Sequence, residues 1–200
     1  MLVLGLTGNI GCGKSSLSNI LIENNIDVVD ADIIARHIFE DKDLLQKVFD
    51  AFGENIINSD QTLNRKALGN IVFNNDKKLI LLNSLTHPKI KEKIIDKINE
   101  AKNNNKDIIV IDAALLVEGG YLDIVDKLVV VTCDEEIQIQ RIQKRDNCSK
   151  EEALSRIKSQ MKQEEKIKYG DFIIDNSGSI IELKEKVYNF IKYMKEKWCD

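Results

Sequence analysis

The sequence predicts an α/β fold in three layers, in which helices cover both faces of a five-stranded parallel sheet. Helical patterns alternate with short apolar runs, and 200 residues suffice for one such domain with a small insertion. The runs are rich in Val and Ile and show no polar alternation, which is typical of parallel strands covered on both faces. They occupy residues 2–7, 26–30, 107–112, 127–133 and 171–176.

Composition and charge restrict the classes of protein to consider. The chain is 43% hydrophobic and 31% charged, as expected of a globular protein, and its net charge of -4 argues against a general nucleic-acid binder. No apolar stretch reaches the ~18 residues of a membrane span, and residues 1–8 lack the features of a signal peptide. The four cysteines form no CxxC pair, so we expect reduced thiols and a cytoplasmic location. From the charge and the lack of a membrane span we expect no nucleic-acid or membrane partner.

The strands are unevenly spaced along the chain. The gap between the second and third is too long for one crossover helix, so we expect an all-helical insertion there. A second helical segment follows the fourth strand, where "SKEE" at 149–152 is a capping-box signature. The insertion is predicted to contain helices over 43–53, 64–73, 77–85 and 87–102, with Pro88 in the first turn of the last. We predict a core of residues 1–34, 106–133 and 168–200, an insertion of residues 35–105, and a second helical segment of residues 134–167.

The first strand runs into "GNIGCGKS", which fits the phosphate-loop pattern G-x-x-x-x-G-K-[ST]. Its glycines let successive N–H groups point inward, and the following helix adds its positive N-terminal end, which makes a cradle for phosphate oxygens. We expect Lys14 to reach the β and γ phosphates of ATP and the Ser15 hydroxyl to bind Mg²⁺. A glycine-rich turn without a ligand is the alternative. The expected ATP-binding residues of the loop are Gly8, Asn9, Ile10, Gly11, Cys12, Gly13, Lys14, Ser15 and Ser16.

The remaining sequence favours a small-molecule kinase among proteins with such a loop. A guanine-reading N-K-x-D after a strand is absent, which argues against a switch GTPase, and the chain is too small for most motor ATPases. We interpret Cys12 as a small side chain tolerated in the loop rather than as a reactive thiol, although a helix N-terminus can lower a thiol pKa.

The acceptor side of such a kinase is predicted at "DAD", residues 30–32. These residues end the second strand, and in an open parallel sheet that end faces the ligand crevice. Asp32 could accept the proton of an attacking hydroxyl or orient it for in-line transfer. Capping of the next helix is the alternative role for an aspartate here, and we assign it more readily to Asp30.

The second helical segment supplies cations. Arg141 and Arg145 are four residues apart and should share a helix face, and Arg156 and Gln160 repeat that spacing on the next helix. Guanidinium groups bind phosphoryl oxygens and exclude water when a lid closes. A solvated charged face is the alternative. We expect Arg141 and Arg145 to bind ATP, and Arg156 and Gln160 to bind the second substrate.

The motifs together resemble the dephospho-coenzyme A kinase family. Besides the loop, the resemblance rests on "VVDADIIAR", "LNRKALGNIVF", "THPKI", "DAALLVEGG", "RIQKRD", "RIKSQ" and "DFIIDNSG", in the family's order over nearly the whole chain. It implies a P-loop NTPase fold with a nucleotide-binding core, a helical acceptor insertion and a helical lid at 134–167. The implied reaction is ATP-dependent phosphorylation of the ribose 3′-hydroxyl of dephospho-coenzyme A.

The resemblance also implies roles for individual residues. It gives Asp32 the role of base, puts Arg65 and His87 in the acceptor site, and puts Asn176 near the adenine of ATP. His87, which precedes Pro88, could instead cap a helix.

Asp112, which ends the third strand, could act on Mg²⁺ through water or tie down neighbouring backbone. The chain departs mildly from the family pattern at Asn9, Ser16 and Ala114. The alternatives are another small-molecule kinase, of the nucleoside monophosphate or shikimate type, and a nucleotide-binding regulator without catalysis. A monomer is favoured.

Overall fold

The sheet follows the sequence-based prediction. A computed structural model describes residues 1–72 and 75–199 of the chain. Its five strands pair in parallel throughout, in the order β2-β3-β1-β4-β5, which confirms the predicted fold class. The strands are β1 Leu2–Gly8, β2 Asp27–Asp30, β3 Ile108–Asp112, β4 Lys127–Thr132 and β5 Phe172–Asp175.

The register of the sheet brings the polar strand ends together. β1 and β4 pair with Gly8 opposite Val131, and β2 and β3 pair with Asp30 opposite Asp112. Because all strands are parallel, the segments that leave their carboxyl ends emerge at one edge of the sheet. The phosphate loop, Asp112 and the residues after β4 therefore share that edge.

Two helices cover one face of the sheet. Helix α1 follows the loop, and the C-terminal helix α9 packs against it. Buried Leu and Val side chains of β1, β3 and β4 join them in one apolar cluster, while the alternate side chains of the same strands are buried on the opposite face. The helices span α1 Lys14–Glu23 and α9 Ile180–Lys197, and α9 buries Leu183, Val187, Phe190, Ile191 and Met194.

An aromatic cluster closes this apolar face near the end of α9. Trp198, the single tryptophan of the chain, has its ring centroid 5.9 Å from Phe190 and 5.5 Å from Tyr193. Phe172 of β5 lies 4.8 Å from Phe190, so strand and helix are joined by aromatic contacts. The Lys127 Nζ lies 5.8 Å from the centre of the Trp198 ring.

The second helical segment, residues 134–167, contains three helices. The predicted capping box is confirmed, since the Ser149 hydroxyl accepts from the Glu152 N–H and the Glu152 carboxylate accepts from the Ser149 N–H. Gln160 lies two residues beyond the end of the helix Lys150–Lys158, which contains Arg156, so the expectation that the two share a helix face is wrong. The Ser159 hydroxyl donates to the Arg156 carbonyl over 2.7 Å and competes with helix continuation. The helices are α6 Glu135–Asp146, α7 Lys150–Lys158 and α8 Gln163–Ile167.

The insertion is helical, as predicted, but two of its expected helices are one. The helices predicted at 77–85 and 87–102 form α5, Asp76–Asn103, with Pro88 inside it. Proline removes a backbone donor, and the Ser84 residue whose carbonyl would pair with it is exposed, so water can satisfy that carbonyl. Residue 73, the last of the helix predicted at 64–73, lies outside the described residues. The remaining helices are α2 Ala31–His37, α3 Lys42–Phe52 and α4 Arg65–Val72, and 3₁₀ turns occupy Ile38–Glu40, Glu54–Ile56 and Leu122–Ile124.

The chain divides into two compact units. The nucleotide unit, as we call it below, comprises Met1–Asp30 and Lys97–Asp200, and the helical unit comprises Ala31–Asp96. The three-part division into core, insertion and lid stays a prediction. Within residues 1–72 and 75–199, no helix combines the length and the apolar character needed to cross a membrane.

Candidate active site

The phosphate loop between β1 and α1 adopts a backbone that needs glycine. Gly11 and Gly13 have φ of 83° and 82°, in the left-handed region that favours glycine. A Cβ on Gly11 would lie 2.8 Å from the Gln138 carbonyl oxygen, and one on Gly13 would collide with the Asn176 side chain. Gly13 is also the N-cap of α1, so the loop leads directly into a helix N-terminus.

Three side-chain amides hold the loop by its backbone. The Ile10 N–H donates to the Gln160 Oε1 over 2.8 Å, and the Gln138 Nε2 donates to the Ile10 carbonyl over 2.5 Å. The Asn176 Nδ2 donates to the Cys12 carbonyl over 2.8 Å. Because these bonds fix both sides of the loop, its N–H groups are oriented in advance for an anion. Asn176 and Gln160 thus contact the backbone of the loop, and the sequence did not predict these contacts.

Lys14 and Asp112 form a buried ion pair at the carboxyl end of β3. The side chains are 14% and 5% exposed, and the Ser18 hydroxyl donates to the second oxygen of the Asp112 carboxylate. Burial raises the pKa of Asp112 above its ordinary value, although the Lys14 ammonium opposes this shift. The pair places the Lys14 ammonium at the carboxyl end of β3, the edge of the sheet at which the loop also lies.

Arg141 of α6 points its guanidinium at the loop. Its Nη1 atom is buried and makes no hydrogen bond within the described part of the chain, and it lies 3.7 Å from where a Cβ on Gly13 would be. A buried guanidinium nitrogen without a partner is costly, so its position favours a negatively charged ligand at the loop. The predicted proximity of Arg141 to the phosphate site agrees with this geometry.

Arg145 and Arg156 point elsewhere. The Arg145 Nε and Nη2 donate to the two carboxylate oxygens of Asp146 over 2.7 and 2.9 Å, and the Arg156 Nη1 donates to the same carboxylate. The hydrogen bonds from Arg145 are the first cause of the lowered pKa of Asp146. Arg141 and Arg145 lie on one helix, as the spacing predicts, but only Arg141 lies at the loop.

A buried lysine holds α8 against the segment after β3. Lys166 is fully buried, and its Nζ donates to the Ala114 carbonyl over 2.8 Å and to the Glu118 Oε1 over 3.0 Å. The same Glu118 oxygen accepts from the Met161 N–H, and the Met161 carbonyl accepts from the Asn9 Nδ2 over 2.7 Å. Lys166 is therefore connected to the phosphate loop through Glu118 and Met161.

Sequence reasoning missed five residues that shape this site. Glutamine and serine in a helix carry no sequence pattern that predicts a contact with a distant loop, and a lysine in a charged run reads as solvated. Only the burial periodicity of α6 could have drawn attention to a glutamine on its inner face. The missed residues are Ser18, Glu118, Gln138, Gln163 and Lys166.

The helical unit holds three of the predicted acceptor residues, Asp32, Arg65 and His87, each in a different helix. Arg65 begins α4, where its Nη2 donates to the Arg36 carbonyl and its Cζ lies 5.2 Å from the centre of the Phe39 ring. His87 is half-buried in the interior of α5, so the alternative that it caps a helix is wrong. Burial lowers the pKa of His87, which keeps the ring neutral near pH 7. Asp32 is half-buried in the first turn of α2.

Comparison with known families decides the class of this site. A family model described as dephospho-CoA kinase matches residues 2–182. The chain belongs to the dephospho-CoA kinase family. A member of this family is a phosphotransferase of coenzyme A biosynthesis that uses ATP, so the prediction of a kinase is confirmed and neither alternative is favoured.

Individual relatives agree with the family assignment. A dephospho-CoA kinase from Carboxydothermus hydrogenoformans is 44% identical over 199 residues, which cover 99% of this chain and 96% of the relative. The crystal structure of TT1252 from Thermus thermophilus matches with a TM-score of 0.84 and 26% identity, over 96% of this chain and 97% of that one. A dephospho-CoA kinase from Campylobacter jejuni matches with a TM-score of 0.73 and 33% identity, over 97% of each chain.

The dephospho-CoA kinase fold extends to more distant kinases. A shikimate kinase from Acinetobacter baumannii matches with a TM-score of 0.52 at 14% identity, over 98% of this chain and 96% of that one. At this level of identity the two proteins share the fold alone.

Proposed function

We propose that this chain transfers the γ-phosphoryl group of ATP to the ribose 3′-hydroxyl of dephospho-coenzyme A, with ATP on the phosphate loop and Asp32 as base. The observation that carries the proposal is the loop geometry at residues 8–15, with the buried Arg141 Nη1 beside Gly13, in a chain of this family. The loop N–H groups, Lys14 and Arg141 supply the positive charge that a transferring phosphoryl group needs.

Several residues of the nucleotide unit bind ATP, each at a different part of the molecule. The loop N–H groups bind the β and γ phosphates, and the Lys14 ammonium and the Arg141 guanidinium neutralise charge on the transferring group. Asn176 lies near the adenine and keeps the loop in place through the Cys12 carbonyl, to which it donates. Arg145 binds ATP when it leaves Asp146, with which it pairs.

Asp32 accepts the proton of the attacking hydroxyl. The support comes from chain connectivity: β2 ends at Asp30, in register with Asp112 of β3, and Asp32 follows two residues later. A carboxylate at this end of a parallel sheet suits a residue that works on a ligand in the crevice. The acceptor is bound by Arg65, by neutral His87 as a hydrogen-bonding group, and by Arg156 and Gln160.

Ser15 would bind Mg²⁺ through its hydroxyl, and Asp112, whose carboxylate pairs with Lys14 and Ser18, would act on the ion through water. Their donor set fits, since both offer the oxygen ligands that this cation prefers, and Ser15 is exposed in the first turn of α1. When bound, the ion neutralises charge on the phosphates. A cytoplasmic location is supported by the four free thiols in the part of the chain that the structure describes, and we propose a monomer.

An acceptor screen with ATP and Mg²⁺ tests the reaction. We expect ADP to form with dephospho-coenzyme A and not with AMP, nucleosides or shikimate, and NMR of the product to locate the new phosphate on the 3′-oxygen. ADP formation with AMP or shikimate instead would mean that the chain is another class of small-molecule kinase. Binding of ATP without turnover of any acceptor would favour a regulator.

The variant Asp32→Asn tests the base. We expect kcat to fall by about 10²-fold or more while the ATP Kd stays unchanged, because a well-placed group of this kind stabilises the transition state by ~3 kcal/mol. Asp43→Asn is the matched control, since Asp43 is an exposed aspartate in the first turn of α3. A kcat of Asp32→Asn close to the wild-type value would remove Asp32 from this role.

A further inference from the structure

Two cysteines that the reaction does not use lie in contact beside the phosphate loop. The Cys12 Sγ and the Cys133 Sγ are 3.5 Å apart, and the residues are 0% and 2% exposed. We propose that Cys12 and Cys133 form a dithiol modification site, which a peroxide converts into a disulfide, and that this disulfide weakens ATP binding. The remaining thiols, Cys148 and Cys199, are half-buried and lie elsewhere in the sequence.

The sheet register explains why the two thiols meet. β1 and β4 are neighbours with Gly8 opposite Val131, so the residues that follow both strands leave the sheet side by side. Cys133 is the first residue after β4, and Cys12 lies where the loop turns back toward α1. Gln163 contacts both, since its Oε1 accepts from the Cys133 N–H over 3.1 Å and from the Cys12 thiol over 3.4 Å.

The surroundings make the two sulfurs unequal. The contact between the two thiols, together with the Arg141 charge, lowers the pKa of Cys133 despite its burial. The same contact and burial raise the pKa of Cys12. Cys133 is therefore the more acidic thiol and the first nucleophile, and Cys12 is the resolving thiol.

The oxidation is a two-electron reaction with hydrogen peroxide. The Cys133 thiolate attacks one peroxide oxygen, the O–O bond breaks, and the leaving hydroxide takes a proton to become water. Cys12 then attacks the sulfur of the resulting sulfenic acid, the S–O bond breaks, and the Cys12 proton leaves with the hydroxide as a second water. Both sulfurs are oxidised, and the peroxide is reduced to two waters.

The disulfide has to distort the loop. Its sulfurs must approach from 3.5 Å to about 2 Å, and Cys12 lies between Gly11 and Gly13, whose φ angles the loop geometry depends on. The Cys12 N–H donates to the Asn9 carbonyl over 3.0 Å, and the Cys12 carbonyl accepts from Asn176. A shift of Cys12 therefore disturbs the N–H groups that bind the phosphates.

Peroxide treatment of the reduced full-length protein tests the site. We expect peptide mass spectrometry after alkylation to find a Cys12–Cys133 crosslink, and calorimetry to find the ATP Kd raised at least about tenfold. Dithiothreitol should reverse both changes. Peroxide-treated protein without the crosslink, or crosslinked protein with an unchanged ATP Kd, would overturn the proposal. These readouts depend on ATP binding rather than on the acceptor, so they are independent of which substrate is phosphorylated.

Cysteine variants make the test specific. Cys133→Ser and Cys133→Ala should bind ATP as the reduced wild type does and keep that affinity in peroxide, and the second variant serves if the first does not fold. The double variant Cys148→Ser/Cys199→Ser is the matched control and should lose affinity as the wild type does. Equal peroxide sensitivity of Cys133→Ala and the wild type would contradict the assignment.

Discussion

The phosphate loop and the helical unit hold their predicted binding residues in different ways. The loop is held by side-chain amides from three later segments of the chain, and Arg141 points at it a buried nitrogen that has no hydrogen-bond partner within the described residues. The predicted binding residues of the helical unit are less enclosed: Arg65 is exposed at a helix start, and His87 is half-buried. The loop backbone is thus fixed by contacts within the protein, whereas the side chains predicted to bind a ligand in the helical unit are less constrained.

This difference has an energetic consequence. Fixed N–H groups lose little conformational entropy on binding, so each contact contributes fully to the stabilisation of the transferring phosphoryl group. An exposed arginine loses rotamer freedom when it binds, which offsets part of its attraction to an anion. We therefore expect substitutions at the loop to have larger effects than substitutions in the helical unit.

The largest effect is expected at Lys14. Lys14→Ala removes the ammonium that we propose neutralises the transferring group, so kcat/KM should fall by about 10³-fold. Steady-state kinetics check this, with circular dichroism to verify the fold. Lys192→Ala is the matched control, because its side chain is 77% exposed and pairs with Glu196 along α9. A loss below about tenfold would contradict the view that the loop dominates.

The second effect concerns stability. Lys166→Met leaves Glu118 without its buried cation, and we expect the free energy of unfolding to fall by about 3 kcal/mol in urea titrations. Lys168→Met, whose side chain is 65% exposed, should change it by less than about 0.5 kcal/mol. The double variant Lys166→Met/Glu118→Gln should recover part of the loss. Equal effects of the two lysine variants would contradict a role for the buried pair.

The third effect tests the support of the loop. Gln138→Ala removes the donor to the Ile10 carbonyl, and we expect the ATP KM to rise about fivefold to tenfold, as for one hydrogen bond. Gln140→Ala is the matched control, since Gln140 lies on the same helix and is exposed. An unchanged KM in Gln138→Ala would mean that the loop keeps its shape without this amide.

The smallest effect is expected in the helical unit. Arg65→Ala should raise the KM for the acceptor about fivefold and leave the KM for ATP unchanged, because an exposed guanidinium contributes about 1 kcal/mol. Lys66→Ala, an exposed neighbour, controls for loss of charge alone. A rise in the ATP KM instead would remove the distinction between the two regions.

The fold and the loop could be predicted because their patterns are local. Continuous apolar runs identify buried parallel strands, and the glycine and lysine spacing at residues 8–14 specifies a phosphate cradle by itself. The position of Arg141 near the loop could also be predicted from the sequence, because it lies on the helix directly after a strand of the sheet.

The remaining contacts depend on tertiary structure that no local pattern encodes. Pro88 predicts a helix start, yet an exposed carbonyl one turn earlier lets α5 continue through it. The four-residue spacing from Arg156 predicts Gln160 on the same helix, but that helix ends at Lys158, and Gln160 contacts Ile10, 150 positions earlier in the chain. The burial of Lys166 likewise follows from a partner, Glu118, that lies 48 positions earlier in the chain.

The position of Trp198 has a practical consequence. As the single indole of the chain, packed between α9 and β5, it makes intrinsic fluorescence a reporter of the nucleotide unit. Far-UV circular dichroism, in contrast, is dominated by helices and detects both units. Denaturation followed by the two signals in parallel therefore distinguishes cooperative unfolding of the whole chain from separate melting of Ala31–Asp96.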